Sequence, residues 1–284
     1  MPIKIVSDTC HYLPRQLVEA NQIHEVSLYV REGEATQRES DITDLGVYYE
    51  RLRDMSGLPT TSQPSIGDFL ETYRPLLDDG NEIVSIHLSG GISGTVRAAQ
   101  QAREQLGEAA ERVHVFDSSS ACGGEGLILL AAAAVARAGA GVQDVLERAR
   151  QARGHLKLWF AVDTLEYLRR GGRIAGAQAW LGSALKIKPI LTVKQEITPV
   201  ERVRTSKRAF DKMVELLRTC HDDGCDAWMV QHIRAPTVAE ELAARGREIF
   251  GNDPCVVAEI GPVIGTHVGP GLLGAGGIPS ALLA

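Results

Sequence analysis

Three short β-branched runs constrain the fold most. Ile3-Lys4-Ile5-Val6 ends in Ser7-Asp8-Thr9, Ile83 to Leu88 ends in Ser89-Gly90-Gly91, and Val113 to Phe116 ends in Asp117-Ser118-Ser119-Ser120. Helical patterns separate or follow them: Ser65 to Leu77, Thr95 to Leu106 and Gly126 to Ala138. Strands alternating with helices predict a parallel sheet with crossover helices. In such sheets ligands bind outside the carboxyl ends of the strands, and here all three ends carry hydroxyls. They are therefore the first place to look for a ligand.

The pattern changes after about residue 154. Leu156 to Val162 reads as a strand, with Asp163 able to cap a short helix through Leu168. Ile187 to Val193 and Ile197 to Val203 read as a hairpin across Lys194-Gln195-Glu196, and a helix follows from Ser206 to about Cys220. Strands Ala227 to Ile233 and Val256 to Ile260 flank a helix, Val238 to Phe250, for which Thr237 to Glu240 offers a capping box. The expected fold class is α/β with two α/β domains; the resemblance described below implies a ligand between them. A parallel, Rossmann-like sheet is expected in residues 1–154 and a mixed sheet in 155–284.

With 284 residues, 44% hydrophobic and only 5% aromatic, the core must be built from Val, Ile, Leu and Ala. A net charge of −6 argues against nucleic acid as the main partner. The expectation is a cytoplasmic protein. No basic-then-apolar segment opens the chain, the longest apolar run, Leu127 to Val135, is too short to span a bilayer, and five cysteines show no disulfide spacing.

Several motifs carry possible chemistry. Ser89 to Thr95, "SGGISGT", joins a strand to a helix. Its glycines admit close approach of a ligand, or it is a tight turn with Ser93 or Thr95 as cap. It is neither a P-loop nor a complete nucleophile elbow. Thr60 to Ser65, "TTSQPS", sets Ser65 as a helix cap and leaves Thr61 and Ser62 free to face a ligand. The helix Gly126 to Ala138 is apolar on nearly every side and therefore buried. Its small alanines are expected to leave room for an apolar ligand. Arg169 to Ile174, "RRGGRI", offers guanidinium groups to phosphate or carboxylate, or ends a solvated helix. Cys220 to Cys225, "CHDDGC", has metal-capable side chains but matches no standard zinc spacing, and no metal is expected. His267 stands in "IGTHVGPG", where glycine and proline restrict the backbone.

Taken together, these motifs resemble the DegV family of bacterial fatty-acid-binding proteins. The matching stretches are "SDT" from Ser7, "TSQPS" from Thr61, "LSGGISGT" from Leu88, "DSSSACGGEG" from Asp117, "VDTLEYLRRGGRI" from Val162, "KIKPIL" from Lys186, "RVRTSKRA" from Arg202 and "IGPVIGTHVGPG" from Ile260. Cys10 and Cys122 replace other small residues, and the tail "LLGAGGIPSALLA" is looser than usual.

The resemblance implies a long-chain, palmitate-like fatty acid as ligand, with its tail in an apolar tunnel. Its carboxylate would lie among Thr61, Ser62, Ser93, Gly94, Thr266 and His267, without a buried arginine clamp. It further implies a carrier rather than an enzyme, with no catalytic residues and no cofactor. The carrier presents its lipid to a separate ATP-dependent kinase subunit that makes the acyl phosphate for phospholipid synthesis. Arg170 or Arg173 would serve the partner or phosphate, and membrane contact would be peripheral at most. The alternative is a serine hydrolase, because Ser93, Asp163 and His267 follow the Ser, Asp, His order of α/β-hydrolases. A third reading is a phosphosugar or nucleotide binder using the glycine turn.

Overall fold

The computed structural model describes residues 1–54, 59–180 and 187–284. Lys186, the first residue of the "KIKPIL" stretch, lies outside them. In chain order the first part holds β1 (Ile3–Asp8), α1 (Arg15–Ala20), β2 (Ile23–Val26), β3 (Tyr29–Glu32), β4 (Ala35–Arg38), α2 (Leu45–Asp54), β5 (Thr60–Ser62), α3 (Ile66–Asp78), β6 (Glu82–His87), α4 (Thr95–Glu104), β7 (Val113–Asp117), α5 (Gly123–Arg137) and α6 (Val142–His155). The second part holds β8 (Lys157–Ala161), α7 (Glu166–Arg170), β9 (Lys188–Lys194), β10 (Glu196–Val203), α8 (Ser206–Asp222), β11 (Ala227–His232), α9 (Pro236–Phe250), β12 (Val256–Glu259), α10 (Pro262–Val268) and β13 (Leu273–Ile278).

The fold class is the expected one. A four-stranded sheet, order β2-β1-β6-β7, is parallel throughout. Helices α3 and α4 pack on one face and α5 and α6 on the other, as right-handed crossovers place them. A six-stranded mixed sheet, order β10-β9-β8-β13-β11-β12, carries α8 and α9 on its outer face. A small antiparallel sheet, β4-β3-β5, was not expected from the sequence. It brings Thr61 and Ser62 onto β5, paired with Val30 and Tyr29.

α5 explains its own composition. It packs against β1 of the parallel sheet and against β11 and β13 of the mixed one, so it needs apolar residues on every side. Leu127, Ile128 and Leu129 are wholly buried, and truncating any of them to Ala costs about 2–5 kcal/mol. The room its alanines were expected to leave is filled by this packing: the wall of the cavity described below uses Ala121 and Cys122, just before the helix.

Helix starts show which local signals hold. Ser65 caps α3 as expected, accepting from Asp68 N at 3.1 Å while the Asp68 carboxylate accepts from Ser65 N at 2.8 Å. The Thr237 box does not form, because Pro236 occupies the first helical position and sets the start two residues earlier, with Ala235 as N-cap. Asp163 does not cap α7. Thr164 accepts the Glu166 N–H at 3.1 Å, and Asp163 pairs with Lys188. Gly94 is the N-cap of α4, with no side-chain cap.

Within the tail that departs from the family pattern, Leu273–Ile278 form β13, a buried strand between β8 and β11. Its glycines are needed there: a Cβ on Gly276 would fall 2.1 Å from the Lys157 carbonyl oxygen. Glycine in a strand interior marks such close backbone approach.

Candidate functional site

A cavity with about 880 Å³ of unoccupied space, its open mouth included, lies between the inner face of the mixed sheet and loops of the first part. Only about 80 Å³ admits the centre of a water-sized sphere, so the space is narrow. Its walls are mainly apolar, with Leu158, Phe160, Val193, Met229 and Leu272 from the second part facing Leu88 and Ile92 from the first. Thr61, Ser62, Gln63, Ser93, Arg173 and His267 supply a polar cluster on the same wall.

His267 anchors the cluster. Its Nε2 lies 2.7 Å from Thr61 Oγ1, a hydrogen bond between residues 206 apart in the chain. The ring is 9% exposed and its Nδ1 has no partner. Burial, with a smaller contribution from the Arg173 charge, pushes its pKa down to about 4. The imidazole is therefore neutral at neutral pH, and offers one N–H and one lone pair rather than a charge.

The "RRGGRI" stretch splits its arginines. A Cβ on Gly171 would fall 2.2 Å from His267 Nδ1, so only glycine fits against the ring. Gly172 follows at φ +72°, in the left-handed region that favours glycine, and turns the chain back. Arg173 then lines the cavity, half-buried, donating to the Ile92 carbonyl at 3.2 Å and to the Gly171 carbonyl at 2.6 Å. Two of its five N–H donors are used in these bonds, which leaves others for an anion. Burial lowers its pKa, but a guanidinium stays charged at any ordinary pH. The cavity wall thus includes Arg173, which was expected at the partner or phosphate end, beside the polar cluster expected to have no arginine clamp. Arg170 points the other way and pairs with Glu166 at 2.6 Å on the exposed side of α7.

Ser93 Oγ accepts from Thr95 N at 3.3 Å and lies 2.9 Å from the Thr95 hydroxyl. Gly94 stands beside the cavity rather than on its wall, and a Cβ there would press on the Gln63 amide at 3.1 Å. Thr266 turns away from the cavity: its hydroxyl donates to the Pro262 carbonyl at 2.8 Å and accepts from Tyr48 at 2.6 Å. Five residues named from the sequence therefore share the wall: Thr61, Ser62, Ser93, Arg173 and His267. Gly94, Thr266 and Arg170 do not. Gln63 was missed although it lies within a quoted motif, because nothing local distinguishes a lining amide from a turn residue.

The hydrolase alternative finds no assembled triad. Asp163 is tied to Lys188, Ser93 bonds Thr95, and His267 bonds Thr61. Cys220 and Cys225 turn their thiols to the carbonyls of Cys225 and His155, and among the described residues no group of three or more His, Cys, Asp or Glu gathers in a way that could hold a metal. Among the described residues, no helix is long and apolar enough to cross a membrane.

Two features of the strand ends were not anticipated. The tip of the β9–β10 hairpin occupies them. Gln195 N donates to the Ser119 carbonyl at 3.1 Å, the Ser119 hydroxyl donates to Gln195 Oε1 at 2.8 Å, and the Ser89 hydroxyl donates to the Gln195 carbonyl. Two of those hydroxyls, of Ser89 and Ser119, thus grip the second part of the chain rather than line the cavity. Beneath them runs a sealed polar chain. Tyr73 bonds Ser85 at 2.7 Å, Ser85 bonds His87 Nε2 at 2.7 Å, and His87 Nδ1 lies 3.1 Å from Asp8 Oδ2. Burial tends to raise the Asp8 pKa, but hydrogen bonds from His87, Leu88 and Cys10 bring it below the usual carboxylate value. Nearby Glu125 has its pKa pushed well above the usual carboxylate value by burial and by Asp8, and its Oε1 accepts from the Ser7 hydroxyl at 3.2 Å.

Comparison with known proteins follows the same outline. The family model described as "Uncharacterised protein, DegV family" matches residues 2–280. Protein DegV of Bacillus subtilis is 37% identical over 282 residues, covering 96% of this chain and 98% of that protein. A crystal structure of DegV from Bacillus subtilis, described as a fatty acid binding protein, superposes with a TM-score of 0.88 at 34% identity, covering 97% of this chain and 98% of that one. A DegV family protein from Thermus thermophilus, described by its fatty acid binding, superposes at 0.87 with 32% identity, covering 98% and 100%.

Proposed function

The chain belongs to the DegV family, and from that premise we propose that it binds a long-chain fatty acid in the cavity and presents it to a separate ATP-dependent kinase. The observation that carries the reading is the pairing of a narrow apolar cavity with one polar cluster built around the 2.7 Å Thr61–His267 bond. The fatty acid binding described for its relatives from Bacillus subtilis and Thermus thermophilus supports it. Residues 1–154 and 155–284 act as two units that enclose the lipid from opposite sides.

The energetics divide the labour. Each buried methylene contributes about 0.8 kcal/mol, so a tail of around fifteen gives on the order of 12 kcal/mol gross. Each hydrogen bond to a carboxylate adds roughly 1.5–3 kcal/mol. The tail supplies affinity. Thr61, Ser62, Ser93, His267 and Arg173 fix which way the carboxylate faces. Gly94 and Thr266 act from behind, by allowing the close approach of Gln63 and by fixing α10. The neutral histidine adds a hydrogen bond without a second positive charge beside Arg173. Arg170, exposed on α7, is the group we assign to the kinase or to its phosphate.

Purified protein carries about one long-chain fatty acid per chain by this reading. Organic extraction and mass spectrometry that found no acyl chain, with no uptake of added palmitate, would refute it. Thr61→Ala, Ser93→Ala and His267→Ala each weaken palmitate binding by about 1.5–3 kcal/mol. If all three bind as the wild type does, the carboxylate lies elsewhere. Arg170→Ala keeps its lipid but lowers the rate of acyl phosphate formation with a cognate kinase. An unchanged rate transfers that role to Arg173.

A further inference from the structure

His267 rides on the last turn of α10, and the first turn of that helix is held from far away in the chain. Glu39, 5% exposed, uses both carboxylate oxygens. Oε1 accepts from the Val263 N–H at 2.7 Å and from the Tyr12 hydroxyl at 2.8 Å, and Oε2 accepts from the Thr9 hydroxyl at 2.6 Å. The Tyr12 hydroxyl in turn accepts from the Ile264 N–H at 3.2 Å. The helix N-cap, Gly261, has no side chain to offer, and a Cβ there would fall 2.6 Å from the Tyr12 ring and 3.1 Å from Glu39 Oε1. A local Ser or Asp cap would satisfy the same N–H groups at the usual helix start. This chain instead leaves the cap bare so that a buried acid and a tyrosine from the first part can reach the helix backbone.

We propose that Glu39, working with Tyr12, is a positioning residue that sets where His267 stands in the cavity. The proposal rests on the reading of His267 as a carboxylate ligand. Val263 and His267 are four residues apart, about 6 Å along one helix. α10 is only seven residues long, so by this proposal a shift of its first turn is passed to the imidazole. The Thr61–His267 bond is 2.7 Å, and a displacement of about 1 Å takes it outside hydrogen-bond range. Glu39 and Tyr12 are absent from the cavity wall, so their loss acts on the head group only through α10.

The test separates a head-group effect from general loosening. Binding of palmitate and of 1-hexadecanol is measured for the wild type, Glu39→Ala, Glu39→Gln, Tyr12→Phe and His267→Ala. The ratio of the two affinities isolates the carboxylate. The expected result is a fall of about tenfold in that ratio for Glu39→Ala and Tyr12→Phe, with hexadecanol affinity unchanged. Glu39→Gln keeps an acceptor for Val263 and retains most of the preference. The imidazole nitrogen shifts of His267 move in the first two variants and stay in the third. Tyr12→Phe keeps the ring against Gly261 and carries the test if Glu39→Ala does not fold. An undiminished acid preference in both variants, or equal weakening of acid and alcohol, overturns the positioning role. Loss of preference in His267→Ala but not in Glu39→Ala or Tyr12→Phe sinks this inference alone. A wild type that binds the alcohol as well as the acid sinks the carboxylate site itself.

Discussion

Two histidines in this protein make the same first contact and do opposite things with it. His87 and His267 each place Nε2 2.7 Å from a hydroxyl, of Ser85 and Thr61 respectively. His87 has Asp8 on its other nitrogen and is wholly buried, and the Ser85 hydroxyl is already shared with Tyr73. Both nitrogens of that ring are hydrogen-bonded, and it is absent from the wall of the candidate cavity. His267 has no acid behind it, one orphaned nitrogen and a cavity in front. Ser85, His87 and Asp8 even have the atom-to-atom connectivity of a catalytic triad, but they have no room for a substrate. The difference teaches that residue type and hydrogen-bond length do not mark a site. What marks it is unfilled space beside a polar ring that no acid has claimed.

The sharpest way to break this comparison is to open the sealed side. Asp8→Ala leaves His87 and the N–H groups of Leu88 and Cys10 without their acceptor. Breaking such a buried pair costs about 3–5 kcal/mol, seen as a lower urea midpoint, with palmitate bound per folded molecule unchanged. A cost below about 1 kcal/mol would mean that the chain is not what holds the parallel sheet.

A somewhat smaller effect tests the open side. The folded pKa of His267 is about 4, below its ordinary value near 6.5, so the unfolded chain binds the proton more readily. Stability is then fully present above about pH 6.5 and is lost as pH falls through about 4. Relative to His267→Gln, the wild type loses up to about 3 kcal/mol across that window, read by denaturation at several pH values. Parallel profiles would show that the ring is not desolvated. The smallest effect belongs to Arg170→Ala. Its exposed pair with Glu166 is worth less than about 0.5 kcal/mol, so stability and lipid retention both stay put. A larger loss would place Arg170 in the fold rather than at a partner.

The sequence already contained part of this contrast. Ser85 and His87 are two apart on a strand and so share a face, yet their contiguous apolar run reads only as a buried strand. That Asp8 turns inward to meet them depends on pairing β1 with β6 across more than seventy residues, which no local pattern states. The parallel sheet, α3 with its Ser65 cap, α8 and the hairpin were legible because periodicity and capping are local. The small sheet that carries Thr61 was not, since its strands are three or four residues long. The wall residues Thr61, Ser62, Ser93, Arg173 and His267 were reachable through motif order. Glu39 and Tyr12 were not, because their part depends on a contact with a helix more than 220 residues away.

β13 has a consequence for how the chain is made. It is the strand that joins β8 on one side to β11 on the other, and it lies at residues 273–278. Until those residues leave the ribosome, the mixed sheet exists as two separate pieces, β10-β9-β8 and β11-β12, each with an unpaired edge open to other strands. The parallel sheet has its four strands by residue 117 and its covering helices by residue 155, so it can assemble earlier. The second half therefore waits for its last strand, and a nascent chain stalled just short of Leu273 is the form of this protein most in need of a chaperone.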